Sequence, residues 1–131
     1  MEYDALQDLT PTAWHHALFP RNHGPLETFN GHARVTGPCG DTMEFWVLVV
    51  GGLIERVSFV TDGCGASQAC GSMATCLAEG ADVAEAACLS QRDVLRALGG
   101  LPEEVAHCAR LAADTLNAAC EDYLLGKTGG R

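Results

Sequence analysis

The hydrophobic pattern changes period near residue 62. Between residues 32 and 61 apolar residues come in short runs rich in valine and aromatics, broken by glycine; from Ala66 onward they recur at helical spacing. Strands joined by short turns pair antiparallel, and the later part of the chain is helical. Residues 43–50 and 53–61 read as two strands joined by Gly51-Gly52, a two-residue hairpin turn. A weaker strand at 32–36 completes a three-stranded meander. On the middle strand Met43, Phe45, Val47 and Val49 share one face, so helices are expected to cover at least that side.

The helices can be delimited by their caps. Residues 12–19 follow Thr10-Pro11, a cap and a first-turn proline, and stop at Pro20. A second helix carries Ala66, Ala69, Cys70, Met73, Cys76 and Leu77 on a broad apolar face and ends at Gly80. Short helices are expected at 82–89 and 90–98, capped by Asp82 and Ser90. Leu101-Pro102-Glu103-Glu104 then opens a long C-terminal helix, with a proline in the first turn and two carboxylates at the positive end of the dipole. Its stripe is Val105, Cys108, Ala112, Leu116, Ala119 and Tyr123, and it should run to about Leu125, leaving a loose tail at residues 127–131.

Length and charge narrow the class. A chain of 131 residues is one domain's worth, and 47% apolar content supports a core. The net charge of −9, with Lys127 the single lysine, argues against a nucleic-acid partner, because phosphate binding relies on cationic side chains. No apolar run approaches the roughly 18–20 residues that span a bilayer. Residues 1–4 lack the basic-then-apolar order of a secretory signal, so a cytoplasmic location without membrane association is expected.

Seven cysteines, Cys39, Cys64, Cys70, Cys76, Cys88, Cys108 and Cys120, are an odd number with no C-x-x-C pair. That excludes zinc ribbons and thioredoxin-type pairs, and any metal site must be assembled from distant segments. Cys70, Cys76, Cys88 and Cys120 read as core residues on helical faces. Three others stand at loops or helix starts. Cys39 lies in the turn Gly37-Pro38-Cys39-Gly40-Asp41, which offers a thiolate and a carboxylate together. Cys64 sits between glycines just before a helix, where the dipole favours the thiolate. Cys108 follows His107 in the first turns of the last helix. Asp41 alone is an ordinary turn residue and His107 alone a surface imidazole; only convergence would give them a role. Three thiolates with Asp41 or His107 would complete a tetrahedral zinc site or the outer ligands of a two-iron cluster. A carboxylate oxygen, being harder than sulfur, would make such a cluster labile.

Pro38-Cys39-Gly40-Asp41, Asp62-Gly63-Cys64-Gly65, and Leu101-Pro102 followed by His107-Cys108 resemble the three ligand segments of the NifU/IscU-type iron–sulfur cluster assembly scaffolds. Pro20-Arg21-Asn22 resembles a further segment of that family, and the match spans about residues 12–125 of a single scaffold domain. The resemblance implies an α+β fold and a non-enzymatic scaffold. A cysteine desulfurase would supply sulfur, iron would bind, and a labile 2Fe-2S cluster would be built and passed to acceptor apo-proteins. Cys39, Cys64 and Cys108 would be thiolate ligands, Cys108 also the persulfide acceptor, Asp41 would tune lability, and His107 would be an alternate fourth ligand or proton carrier.

Members served by a specialised Hsp70 chaperone read Leu-Pro-Pro-Val-Lys where this chain has Leu101-Pro102-Glu103-Glu104-Val105, so that hand-off is not expected. The alternative is a zinc-dependent sulfurtransferase of the SufU type, with zinc in the same site. Against it, this chain has no insertion before its last ligand cysteine and retains His107. The sequence leaves the oligomeric state open, a homodimer included.

Overall fold

The computed structural model describes residues 8–126; the expected tail and the N-terminal residues 1–4 lie outside that range. Helix α1 (Pro11–Leu18) begins where Thr10 Oγ1 accepts from the Ala13 N–H at 3.0 Å, with Pro11 in its first turn. Strands β1 (Gly31–Thr36), β2 (Thr42–Val50) and β3 (Leu53–Thr61) form one antiparallel sheet in the order β1-β2-β3. Gly51 and Gly52 both take positive φ, 61° and 82°, as the hairpin requires. A bulge follows: Leu48 pairs with Arg56, but Val49 pairs with Ile54. The extra residue lets Ile54 and Val57 both bury, although strict alternation would send one of them to the outer face.

Four helices follow, α2 (Gly65–Ala78), α3 (Val83–Ala86), α4 (Gln91–Leu98) and α5 (His107–Leu124). Asp82 caps α3, and Ser90 with Asp93 forms a full capping box on α4. α2 and α5 cover the sheet face of Met43, Phe45 and Val47. Gly71 of α2 lies against the Phe59 ring, and Gly31 of β1 meets Ala119 and Tyr123 of α5. On the outer face His32 lies between Phe29 and Trp46 and holds Glu44 at 2.5 Å. Among the described residues no helix is long and apolar enough to cross a membrane.

The α1 connection is tied to α2 by polar contacts. His16 Nδ1 lies 2.7 Å from Ser72 Oγ, which also accepts from the Arg21 N–H at 2.8 Å. Asn22, in the left-handed region at φ 55°, donates to Thr75 Oγ1 and accepts from the Phe59 N–H at 3.0 Å. Burial, then the Arg21 guanidinium and the neighbouring His15, hold the His16 pKa below its ordinary 6.5. The unfolded chain therefore binds a proton at His16 more readily than the folded one. Its contribution to stability is full above about pH 6.5 and is lost as the pH falls toward the folded value. Melting temperatures measured from pH 7.5 to 5 should fall less steeply for His16→Asn than for the wild type; parallel curves would contradict this.

Three expectations need correction. The last helix does not start at Pro102: Glu103–Val105 form a separate 3-10 turn, and α5 begins at His107 behind Ala106, which offers no side-chain cap. Glu103 and Glu104 therefore lie outside the first turn of α5. Cys76 and Cys88 are exposed, whereas Cys70 and Cys120 are buried. Cys76 lies about 120° around α2 from Cys70, a direction no neighbour covers in the last turn, and Cys88 falls in the turn after α3, which is only four residues long. The helix expected at 82–89 is shorter, α3 ending at Ala86, whereas α2 ends as expected, with Gly80 at φ 81° directly after its C-cap Glu79.

Candidate metal centre

Meander topology brings the site together. The β1–β2 loop at residues 37–41 and the segment leaving β3 at residues 62–64 sit at the same end of the sheet, because Thr36 pairs with Thr42 and Met43 with Thr61. The first loop closes on itself, with the Gly37 N–H donating to the Asp41 carbonyl at 2.8 Å and Gly40 at φ 95° completing the turn. The second is pinned across the sheet, where the Thr42 N–H donates to Asp62 Oδ1 at 2.8 Å. The break at residue 106 sets His107 and Cys108 as the opening residues of α5 at that same end. His107 is exposed and Cys108 buried.

All five candidate residues converge. The ligand atoms of Cys39, Asp41 and His107 lie within 4.8 Å of one another. His107 Nε2 stands 3.8 Å from Cys108 Sγ, and Cys64 and Cys108 both approach the Ser67 hydroxyl. Outer and inner halves differ in environment. Cys39 and His107 are exposed and Asp41 half-buried, whereas Cys108 is 1% exposed, on the floor of the site rather than at its rim.

Cys64, exposed at the start of α2, and the buried Cys108 differ in acidity. The hydrogen bond from Cys108, with the Ser67 and Ala66 N–H groups at the start of α2, brings the Cys64 pKa down to about 5 against the opposing effect of burial. The same hydrogen bond, then burial, pushes the Cys108 thiol up. Cys64 is thus the more acidic of the two thiols. Cys70, beneath them, has its pKa raised by burial and by the charge of Cys64, which suits a packed side chain.

One participant escaped the sequence reading. Ser67 is fully buried, and its Oγ lies 3.2 Å from Asp41 Oδ2, 3.3 Å from Cys108 Sγ and 4.0 Å from Cys64 Sγ. The available signal was its i,i+3 spacing from Cys64, which places both on one side of the first turn of α2. Space here is tight: a Cβ on Gly63 would collide with the Ser67 side chain and stand 2.8 Å from Asp41 Oδ2.

The donor set is thiolate-rich with one carboxylate and one imidazole, which suits zinc or iron–sulfur species and disfavours magnesium or calcium. Comparison with known proteins agrees with that chemistry. The NifU-like N terminal domain family matches residues 10–128. The iron-sulfur cluster assembly scaffold protein IscU 1 of Archaeoglobus fulgidus is 43% identical over 109 residues, covering 82% of this chain and 71% of the relative. The IscU scaffold protein of Aquifex aeolicus is 42% identical over 113 residues, covering 84% and 72%. Among solved structures, a NifU-like N-terminal protein from Brucella abortus superposes with a TM-score of 0.71 at 17% identity, covering 93% of this chain and 99% of its own. That likeness speaks for the fold alone. With three motifs in order, the α+β architecture and the family match agreeing, the chain belongs to the NifU-like N-terminal domain family.

Proposed function

We propose that this chain is a non-enzymatic scaffold on which an iron–sulfur cluster, the cargo, is assembled and from which it is passed on. The observation that carries the reading is the meeting, at one end of the sheet, of Cys39, Asp41, Cys64, His107 and Cys108 from three distant segments. Relatives named as scaffolds support it. In this reading Cys39, Cys64 and Cys108 are the thiolate ligands of a 2Fe-2S cluster, and Asp41 or His107 takes the fourth position. The exposed outer half lets iron enter and the finished cargo leave. The partners are a cysteine desulfurase and acceptor apo-proteins.

Sulfur arrives by transfer between thiols. The Cys108 sulfur attacks the outer sulfur of the desulfurase persulfide as its proton passes to the departing donor sulfur; the donor S–S bond breaks, the donor leaves as a thiol and Cys108 becomes a persulfide. Since Cys108 is buried, the first turn of α5 must open for this step. The missing side-chain cap at Ala106 makes that turn inexpensive to open. The test is anaerobic incubation with ferrous iron, L-cysteine and a cysteine desulfurase. Near-stoichiometric iron and acid-labile sulfide, with sulfur-to-iron charge-transfer absorption, is the expected result. A colourless product free of sulfide would refute the reading.

A second reading, a zinc-dependent sulfur acceptor, has one specific observation behind it. Cys39, Asp41 and His107 already converge as three donors of a tetrahedral site. It predicts tightly held zinc in the purified chain and loss of sulfur acceptance once a chelator removes it.

A further inference from the structure

We infer that Ser67 is a positioning residue that promotes release of metal from this site, its hydroxyl proton competing with the metal for Cys108 and Asp41. The inference rests on the ligand assignment just proposed and adds a residue and a direction of effect that the assignment does not contain.

The geometry is specific. Ser67 stands in the first turn of α2 with no exposed surface, and its Oγ touches atoms from the other two ligand segments, Asp41 Oδ2 at 3.2 Å and Cys108 Sγ at 3.3 Å. Cys64 Sγ stands at 4.0 Å. A hydroxyl carries one proton, so it serves one acceptor at a time. Gly63 packs so closely that a side chain there would displace this hydroxyl, which ties the approach of the loop to the presence of Ser67.

The sign follows from charge. A hydrogen bond to an ionised acceptor strengthens with the charge on that acceptor. A carboxylate bound to a metal has given up part of its charge, whereas a detached one carries all of it, as Asp41 does beside Ser67. Ser67 therefore stabilises the detached ligand more than the bound one, which weakens the metal's hold and speeds its departure. In the bound state the same hydrogen bond withdraws electron density from the Cys108 sulfur, a recognised way in which proteins tune thiolate-ligated centres. A site built for storage would gain from removing this donor, but one that must surrender its cargo gains from keeping it.

Cobalt(II) is a suitable probe because its thiolate charge-transfer bands report directly on sulfur. Full-length chain, stripped of metal and loaded anaerobically with cobalt(II), would be compared with Ser67→Ala. Losing the hydrogen bond should move the thiolate-to-cobalt band to lower energy and slow cobalt loss to excess chelator by about tenfold, as expected for one hydrogen bond to a charged group. Ser67→Thr, which keeps the hydroxyl, should restore both. Should Ser67→Ala fold poorly, Ser67→Thr and Ser67→Val, alike in shape and differing by hydroxyl against methyl, repeat the comparison. An unmoved band, or release as fast as or faster than wild type without the hydroxyl, overturns the inference while leaving the ligand assignment intact. A wild-type chain that takes up cobalt without thiolate bands overturns the assignment itself and this inference with it.

Discussion

Cys64→Ser, reconstituted anaerobically beside wild type, should retain no more than about a tenth of the iron and acid-labile sulfide. Even changes outside the ligand shell cost metal sites roughly 10–100-fold in affinity, so removing a ligand, the role proposed for Cys64, should cost at least that. Three properties make Cys64 the most sensitive position. It is the more acidic of the two neighbouring thiols, it stands beside the Ser67 hydroxyl that reaches Cys108 and Asp41, and it lies in the loop that joins the sheet to α2. Serine keeps the shape but presents a hard oxygen that is protonated at neutral pH, a poor partner for iron already bound to sulfide. Controls separate the site from general thiol loss. Cys88→Ser, on an exposed turn, and Cys120→Ala, fully buried on α5, should load as wild type. If Cys64→Ser loads normally while Cys120→Ala does not, the site has been assigned to the wrong cysteines.

The largest effect on stability should come from a residue with no side chain. Gly71 lies in the middle of α2, where glycine costs about 1 kcal/mol against alanine, so by propensity alone replacement should help. Packing decides otherwise. A Cβ at Gly71 would run into the edge of the Phe59 ring, and that ring cannot retreat. Phe59 is fully buried, its centroid 5.9 Å from Phe45 and 5.4 Å from His23. Overpacking of this kind costs roughly 1–3 kcal/mol per site and more for a branched side chain, which exceeds the propensity gain. Gly71→Val should therefore be destabilised by about 3 kcal/mol, lowering the melting temperature by roughly 10 °C for a domain of this size. Gly71→Ala should lose about 1 kcal/mol net on the same reckoning. A consequence at the metal centre should follow. Ser67 lies one turn before Gly71, about 6 Å along the axis, so a helix pushed off the sheet carries Ser67 and Cys64 with it. Gly71→Val should bind cobalt(II) more weakly as well as melt earlier; an unchanged melt would show that the ring yields.

Much of this architecture is legible one residue at a time because the forces are local. Thr10 and Ser90 cap their helices through contacts three residues away, and Gly51-Gly52 sets a hairpin whose register the flanking valines enforce. The failures are of the opposite kind. Pro102-Glu103-Glu104 has every local mark of a helix start, yet the helix begins at His107, where the chain is seated on the core by Val105 and Cys108. Cys76 and Cys88 look like Cys70 and Cys120 on a helical wheel, and only the placement of neighbouring elements separates exposed from buried. At the site, the motifs singled out Cys39, Asp41, Cys64, His107 and Cys108 as candidates, but gave no sign that Cys39 and His107 lie outermost while Cys108 forms the floor.

The amino-acid order determined the succession of strands and helices, the caps, the turns and the residue types able to hold a soft metal, since periodicity and local hydrogen bonding act over a few residues. Only the tertiary structure decided which of the neighbouring thiols is the more acidic, which cysteines see solvent, and that the Ser67 hydroxyl stands among candidate ligands 26 and 41 positions away. Those outcomes depend on distances between segments that meet through packing of the core, and burial and charge at such a meeting point are properties of the assembled neighbourhood rather than of any one stretch of chain.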